Sequence, residues 1–271
     1  MILPIASIVT EKTYLEFLLL KKTIENYHDC IWYISCDFYS KNKLEKEFKN
    51  INCFQLIQSD DADHNNQNSL QKENWMKIMM TKFDISKIAI KEENHVLFLD
   101  CDMIFVNPIE EEIMSLFMNK NIDAFICQHM TNDWLNESQH GLFNAGMFHV
   151  KKEEFINEWE NLSKNYKKYN FYYEQQPLEY VQRNFITLNL PINYNIGWWR
   201  FNRENTKNRL DLLNIKEDKI FFGKKPAVNF HVHSLKKLDY PNFGQFLVDK
   251  ISILMENSNN ENYKKILEGI K

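Results

Sequence analysis

The stretch Val96-Leu97-Phe98-Leu99-Asp100-Cys101-Asp102-Met103-Ile104-Phe105-Val106 decides how the chain is read. Four apolar residues without a polar interruption argue for a strand covered on both faces, as in a parallel α/β sheet. They run straight into two carboxylates at i and i+2, which a strand would place on one face. The carboxyl end of such a strand is where open α/β sheets bind ligands. Two like charges this close repel, and one of them tends to hold a proton unless a cation intervenes. Oxygen ligands of this type suit Mg²⁺ or Mn²⁺. The competing reading is two exposed acids at a strand-to-loop junction, and spacing alone leaves both open.

Composition narrows the classes. At 271 residues, 44% hydrophobic and 14% aromatic, the chain can bury a full core, so a folded globule is expected and disorder is not. A net charge of −4 with a pI near 6.1, and no long basic run, give no reason to expect nucleic acid. The five cysteines (Cys30, Cys36, Cys53, Cys101, Cys127) are odd in number, lack metal-type spacing, and fall in or beside apolar runs. They read as small buried hydrophobes in a reduced, cytosolic setting. No apolar run is long enough for a membrane span, and the N-terminus lacks a signal-peptide pattern. A soluble protein is expected. Its bias towards Asn, Lys and Ile, the mark of an AT-rich genome, goes with a bacterial or viral source.

Outward from the central stretch, strands and helices alternate. Strands are expected over 2–9, 31–35, 53–57, 123–127, 142–150, 186–190 and 227–231. Helices are expected over 12–26 (with Leu15, Leu18, Leu19 and Ile24 near one face), 41–49, 70–90, 151–166 and 174–183, and in an amphipathic tail over 245–271. That order gives an α/β fold with a mostly parallel central sheet flanked by helices. The polar stretch 59–68 reads as a solvated loop despite its acids and His64, and 128–141 as a loop carrying Trp134. Asn107-Pro108 reads as a strand end and helix start, with Pro in the first turn and Glu110, Glu111 and Glu112 favoured by the helix dipole. Lys82 is either a surface lysine or a phosphate contact. Gly146 and Ala145 permit close backbone approach. Tyr166, Tyr169, Phe171, Tyr172 and Tyr173 form an aromatic-rich link. No internal repeat or linker is apparent, so residues 1–271 read as one domain in three stretches, 1–107, 108–240 and a helical tail over 241–271.

Taken in order, Asp100-Cys101-Asp102, Phe143-Asn144-Ala145-Gly146, Glu174-Gln175 and His231-x-x-Ser234 resemble the GT-A glycosyltransferases, most nearly glycosyltransferase family 8 with its galactosyltransferase and glycogenin-like members. The likeness runs from the first strand to about Lys237. It implies a GT-A sheet and a metal-dependent hexosyltransferase that uses a UDP-sugar and retains anomeric configuration, with 1–107 as the nucleotide-binding half, 108–240 as the donor-sugar and acceptor half and 241–271 as a helical tail. Asp100 and Asp102 then match the acidic pair that holds the donor diphosphate through Mn²⁺ (or Mg²⁺), with Cys101 between them. His231 matches the third metal ligand, in a His-x-x-Gly-x-x-Lys pattern that here has Ser234 for Gly and ends on Lys237, which would meet the diphosphate. His233 is the alternative ligand. Asn144, Ala145 and Gly146 match the segment lining the donor sugar, and Glu174-Gln175 stand where the family has Asp-Gln beside the anomeric carbon. Thr10, Asp37 and nearby Tyr14 fall where the family holds the uridine, and Lys82 matches a donor-facing helix lysine. Trp198, Trp199 and Arg200 suit an acceptor sugar, or else the core.

The implied partners are a UDP-sugar and a glycan or other hydroxyl acceptor, with no nucleic acid, no integral membrane segment, and homo-oligomerisation left open. Three other readings compete. A HAD-type phosphatase also puts Asp-x-Asp after an apolar strand, but near the N-terminus and with Gly or Thr following. A sugar-1-phosphate nucleotidyltransferase would carry an early Gly-rich basic loop, which is missing. A non-catalytic sugar-nucleotide-binding protein would share the fold without the chemistry.

Overall fold

The computed structural model describes residues 2–58, 69–131, 134–201, 209–232 and 243–270. The N-terminal half alternates β1 (Leu3–Val9), α1 (Tyr14–Glu25), β2 (Cys30–Cys36), α2 (Phe38–Glu47), β3 (Ile51–Phe54), α3 (Ser69–Glu93), β4 (Val96–Leu99) and β5 (Met103–Phe105). Next come α4 (Glu111–Phe117), β6 (Ala124–Gln128), α5 (Trp134–His140), β7 (Phe143–Val150), α6 (Glu153–Lys164), α7 (Tyr166–Tyr169), α8 (Leu178–Val181), β8 (Thr187–Asn189) and β9 (Ile196–Gly197). The chain closes with β10 (Leu213–Lys216), β11 (Lys219–Phe222), β12 (Lys225–Pro226), β13 (Asn229–His231), α9 (Phe243–Glu256) and α10 (Glu261–Ile270).

Seven strands form the central sheet in the order β3-β2-β1-β4-β7-β6-β8, in which β7 alone runs against its neighbours. The expected mostly parallel sheet is present. Its inner strands β1, β4 and β7 are buried on both faces. Leu97 and Leu99 of β4 point into one apolar layer with Phe17, Leu20 and Ile24 of α1, while Val96 and Phe98 point into the other with Phe83 of α3 and Trp159 of α6. Trp159 centres that second layer, in edge contact with Phe83 and Phe148 at 4.9 Å each. Alternation therefore explains why β4 reads as an uninterrupted apolar run.

β5 leaves the central sheet. It pairs antiparallel with β13, which pairs parallel with β9, and this small sheet packs with the β10-β11-β12 hairpins and the tail in a third apolar layer. The Asp-x-Asp pair thus lies on the turn where the chain passes from one sheet to another, and not on a strand as expected. Ser7 Oγ donates to Leu99 O at 2.7 Å and pins that departure point to β1.

Several local expectations are corrected. On α1, Phe17, Leu20 and Ile24 are buried against the central sheet and Leu19 against the third layer, while Leu15 is exposed. α2 starts at Phe38 because the Asp37 carboxylate accepts from Ser40 N at 2.7 Å and caps it. Pro108 lies ahead of α4, which begins at Glu111; Glu111 and Glu112 sit in its first turn as expected, but Glu110 accepts from Tyr194 Oη and Asn193 Nδ2. The segment 128–141 contains α5. The expected helix over 174–183 begins late: 174–177 are turns, and the four-residue α8 after Pro177 runs on into a 3-10 turn over Gln182–Asn184. The tail is two helices, broken where Asp218 accepts from Ser258 Oγ and Asn259 N. Stretch 59–68 lies outside the described residues. The cysteines form no disulfide. Among the described residues no helix is long and apolar enough to cross a membrane.

One buried pair gives the fold a pH dependence. His149 on β7 is fully buried, its Nε2 3.0 Å from His95 Nδ1 and its ring stacked 4.0 Å from Phe117. Burial holds both imidazoles below the usual histidine value, and at His149 the neighbouring His95 and Lys151 add to the effect. An unfolded histidine titrates near about 6.5, so below that pH the unfolded chain takes up protons the native one refuses. This contribution to stability is intact above about pH 6.5 and is lost as pH falls through the lowered native values. Thermal unfolding midpoints measured from neutral to mildly acidic pH are expected to fall, and His149→Phe to fall less steeply than wild type. Equal slopes would remove this pair as the cause.

Candidate active site

The end of β4 and the end of β13 meet. Val232 N donates to Asp102 O at 3.0 Å, and the register that pairs His231 with Met103 brings His231 against the turn. His231 Nε2 lies 2.9 Å from Asp102 Oδ1 and 3.9 Å from Asp100 Oδ2. One ligand atom from each of the three lies within 4.8 Å of the others. An imidazole nitrogen and a carboxylate oxygen this close share either a proton or a metal. The other face of the ring is fixed: His231 Nδ1 lies 3.1 Å from Asn195 Oδ1, while Asn195 Nδ2 donates to Asn144 Oδ1 at 2.8 Å. Holding one ring nitrogen this way aims the other at the carboxylates, the usual arrangement behind a metal-binding histidine. Two carboxylates and one nitrogen fit a divalent cation; Mn²⁺ tolerates that mixture better than Mg²⁺.

Space for this cluster comes from a bulge in β7. The β6–β7 register jumps between Ile126 and Cys127, which pair with Phe148 and Asn144, leaving Ala145-Gly146-Met147 unopposed on that side. On the other side Asp100 N donates to Gly146 O at 2.8 Å. A bulge re-aims side chains next to a site. Here it brings the backbone of Gly146 against the acids: a Cβ at Gly146 would come 2.6 Å from Asp100 Oδ2, 2.7 Å from His231 Cε1 and 2.9 Å from Asn144 Oδ1. Only glycine fits. The close approach read into Ala145-Gly146 is therefore an approach to the Asp-His cluster.

Lys82 and Glu174 form the second part of the site. Both are buried, and Lys82 Nζ donates to Glu174 Oε1 at 2.7 Å and reaches Ala145 O at 3.5 Å. Burial opposes the ammonium charge, but Glu174 and Asp100 outweigh it and raise the Lys82 pKa. For Asp100, burial pushes the carboxyl up and Asp102 and Glu174 add to that, while Lys82 and His231 pull it down; the net direction is up. Trp159 Nε1 donates to Glu174 O at 2.6 Å, so the segment is anchored in the core. Lys82 is not a surface lysine. Gln175 is held as firmly: Asn144 Nδ2 and Ala145 N donate to its Oε1 at 3.2 and 3.4 Å, and its Nε2 donates to His140 O at 2.6 Å.

Asp100, Asp102, His231, Asn144, Ala145, Gly146, Lys82, Glu174 and Gln175 are thus one connected cluster. Thr10 and Asp37 stand at the ends of β1 and β2, on the same edge of the sheet, since the β1–β4 register aligns Ala6 with Phe98. Their groups have local partners: Thr13 Oγ1 accepts from Thr10 N at 2.9 Å, and the Asp37 carboxylate accepts from Glu11 N and Ser40 N at 2.7 Å each. Tyr14 Oη donates to Glu47 at 2.7 Å. Cys101 is buried in the α1-side core. Trp199 packs on His231 with ring centroids 5.1 Å apart and donates to His129 O at 2.8 Å; Trp198 packs edge-on against Trp199. Arg200 takes the second of its two expected roles, in the core. It is buried, and its guanidinium donates to the carbonyls of Ile192, Gln128 and Tyr194, which ties the loop together and leaves it no face for an acceptor. His233, Ser234 and Lys237 lie outside the described residues.

The residue that sequence reasoning missed is Asn195. It links His231 to Asn144 from a left-handed backbone position (φ 47°), a conformation asparagine adopts more readily than most residues. Nothing in its local sequence marks it as a partner of residues 36 and 51 positions away.

No protein-family model matches the sequence, and no curated protein matches it. Solved structures do match over nearly the whole chain. The galactosyltransferase LgtC, solved with donor and acceptor sugar analogues, aligns over 98% of this chain and 100% of its own at 12% identity and a TM-score of 0.55. The glycosyltransferase GlyE of Streptococcus pneumoniae aligns over 99% of this chain and 62% of its own at 11% identity and a TM-score of 0.58. A glycosyltransferase involved in glycosylating the major capsid of PBCV-1 aligns over 92% of this chain and 100% of its own at 13% identity and a TM-score of 0.53. At these identities the likeness is one of architecture. The chain has the GT-A fold, and it resembles glycosyltransferase family 8 in the order in which its clustered residues enter that fold.

Proposed function

We propose that the protein transfers a hexose from a nucleotide-diphosphate sugar, a UDP-sugar by its resemblance to family 8, to a hydroxyl of an acceptor glycan, with retention of anomeric configuration. The observation that carries this is the convergence of Asp100, Asp102 and His231, from two distant stretches of chain, at the ligand edge of a GT-A sheet. A HAD-type phosphatase finds no support in that architecture.

In this reading a divalent cation, Mn²⁺ rather than Mg²⁺, is held by Asp100, Asp102 and His231 and supplies positive charge against the diphosphate leaving group. The protein does the rest. Asn195 keeps His231 turned towards the carboxylates. Gly146 leaves room for the Asp100 and His231 side chains to come together. Glu174, fixed by Lys82, and Gln175, fixed by Asn144 and His140, present polar groups to the donor sugar, while Thr10 and Asp37 flank the nucleoside at the ends of β1 and β2. Preorganised groups of this kind act where charge develops in the transition state, and removing one costs on the order of 3–4 kcal/mol. Lys237 follows as the further diphosphate contact implied by the family pattern.

Three outcomes test this. In a thermal-shift panel of UDP and UDP-sugars, a bound ligand at about 100 times its Kd adds about 2.7 kcal/mol of apparent stability. The shift is expected with Mn²⁺ present and absent in Asp102→Ala; a folded wild type with no shift for any nucleotide overturns the reading. Gly146→Ala is expected to abolish the Mn²⁺-dependent shift, because its methyl group occupies the space between Asp100 and His231. Lys82→Met leaves Glu174 buried and uncompensated, and is expected to cost about 3–5 kcal/mol in urea unfolding. Lys82→Met combined with Glu174→Leu should recover most of that stability and still fail to turn over donor. A double variant as unstable as the single one would show that the ion pair is not what Lys82 contributes.

A further inference from the structure

β9 ends on Gly197, and the chain passes at once into a 3-10 turn over Trp198–Arg200. Gly197 is extended there (φ −88°, ψ 156°), a conformation open to any residue. Space is what calls for glycine. A Cβ on it would come 2.2 Å from Cζ2 and Cη2 of Trp199 and 2.4 Å from Cε2, so the turn folds the indole back onto the bare Cα. In the parallel β9–β13 ladder Gly197 pairs with His231, which puts the indole beside the histidine of the Asp-His cluster. The two rings meet with centroids 5.1 Å apart and an interplanar angle of 75°.

The indole is pinned from a second direction. Its Nε1 donates to His129 O at 2.8 Å, and the His129 ring packs edge-on against it at 5.2 Å. His129 is itself fixed. Its N donates to Leu142 O at 2.8 Å, and its Nδ1 lies 3.2 Å from Gly141 O, which can only accept, so Nδ1 carries the proton. Burial above all pushes the His129 imidazole down to about 4, so at neutral pH it brings no positive charge to the cluster.

Two contacts, Nδ1 with Asn195 Oδ1 and Nε2 with Asp102 Oδ1, fix the line between the nitrogens of His231. The roll of the ring about that line is left to packing, which comes from Gly146 and from the steeply inclined indole. We infer that Trp199 is a positioning residue for the metal ligand His231: Gly197 and His129 lock the indole, and the locked indole keeps the imidazole turned to the carboxylates. The inference rests on reading Asp100, Asp102 and His231 as a cation site. What surrounds a metal ligand sets its orientation and its access to water, and altering it costs about 10–100-fold in metal affinity.

The test is binding of Mn²⁺ to the full chain by calorimetry, with and without UDP, a readout independent of turnover. Gly197→Ala and Trp199→Ala are each expected to weaken Mn²⁺ binding by about 10–100-fold. The double variant should lose no more than Trp199→Ala alone, since the indole is what the new methyl group would strike. Trp199→Phe keeps a ring against His231 but loses the anchor to His129 O, and its affinity is expected to fall between those of wild type and Trp199→Ala. A purely structural role would lower thermal midpoints and leave the Mn²⁺ affinity of the folded variants unchanged. Wild-type affinity in folded Gly197→Ala or Trp199→Phe, or additive losses in the double variant, would overturn the inference. A wild type that takes up no Mn²⁺ with or without UDP overturns the cation site itself, so the two failures are separable.

Discussion

Everything about the candidate site follows from an imbalance of buried charge. Three carboxylates, from Asp100, Asp102 and Glu174, gather at one edge of the central sheet, and one ammonium, from Lys82, is buried with them. Three carboxyl groups against one ammonium is an excess of acid that a divalent cation would offset. Such an arrangement is unfavourable to fold around unless the backbone holds it in place, since desolvated like charges repel and attraction to a single lysine offsets only part of the cost. The surrounding structure supplies that hold. β4 is locked to β1 through Ser7, Glu174 is anchored through Trp159, and the acids are spread over a turn where the chain changes sheets.

Much of this was legible in the sequence because the signals are local. Alternating sides within Val96–Leu99 made β4, and the i, i+2 spacing kept Asp100 and Asp102 together even on a turn. What escaped depends on distance or on geometry without a composition signature. Lys82 meets Glu174 across 92 residues, and nothing around either one names the other. The β7 bulge appears in sequence only as two small residues; its phase shift, which puts Ala145 and Phe148 in the same layer and Met147 in the opposite one, is a property of pairing. For Trp198-Trp199-Arg200 a sugar platform and a core position both stayed open, because exposed and buried aromatics read alike in sequence; the two tryptophans are half-buried, and Arg200 is tied to three carbonyls. The β10-β11 hairpin went unread because its turn uses Glu217 and Asp218, both at positive φ, where Asn-Gly is the usual signal.

The Arg200 and Asn195 roles also show why the segments flanking β9 carry buried polar residues. Asn193, Asn195 and Arg200 are all buried, and each bonds to a different part of the chain: α4 and β12, the Asp-His cluster, and the end of β6. An apolar loop of the same length would pack but would not be held in one conformation, because hydrogen bonds and not volume select it.

The pairing of β5 with β13 has a kinetic consequence. It joins Met103 to His231, one of the longest loops in the molecule to close, and the entropy of closing it must be met before the small sheet can form. The β1-β2-β3 block is assembled from short connections, so during refolding it can form while His231 is still far from Asp102. Competence to bind a cation therefore depends on the β5–β13 ladder, and a chain interrupted before residue 231 lacks both His231 and the pairing that fixes the turn carrying Asp102.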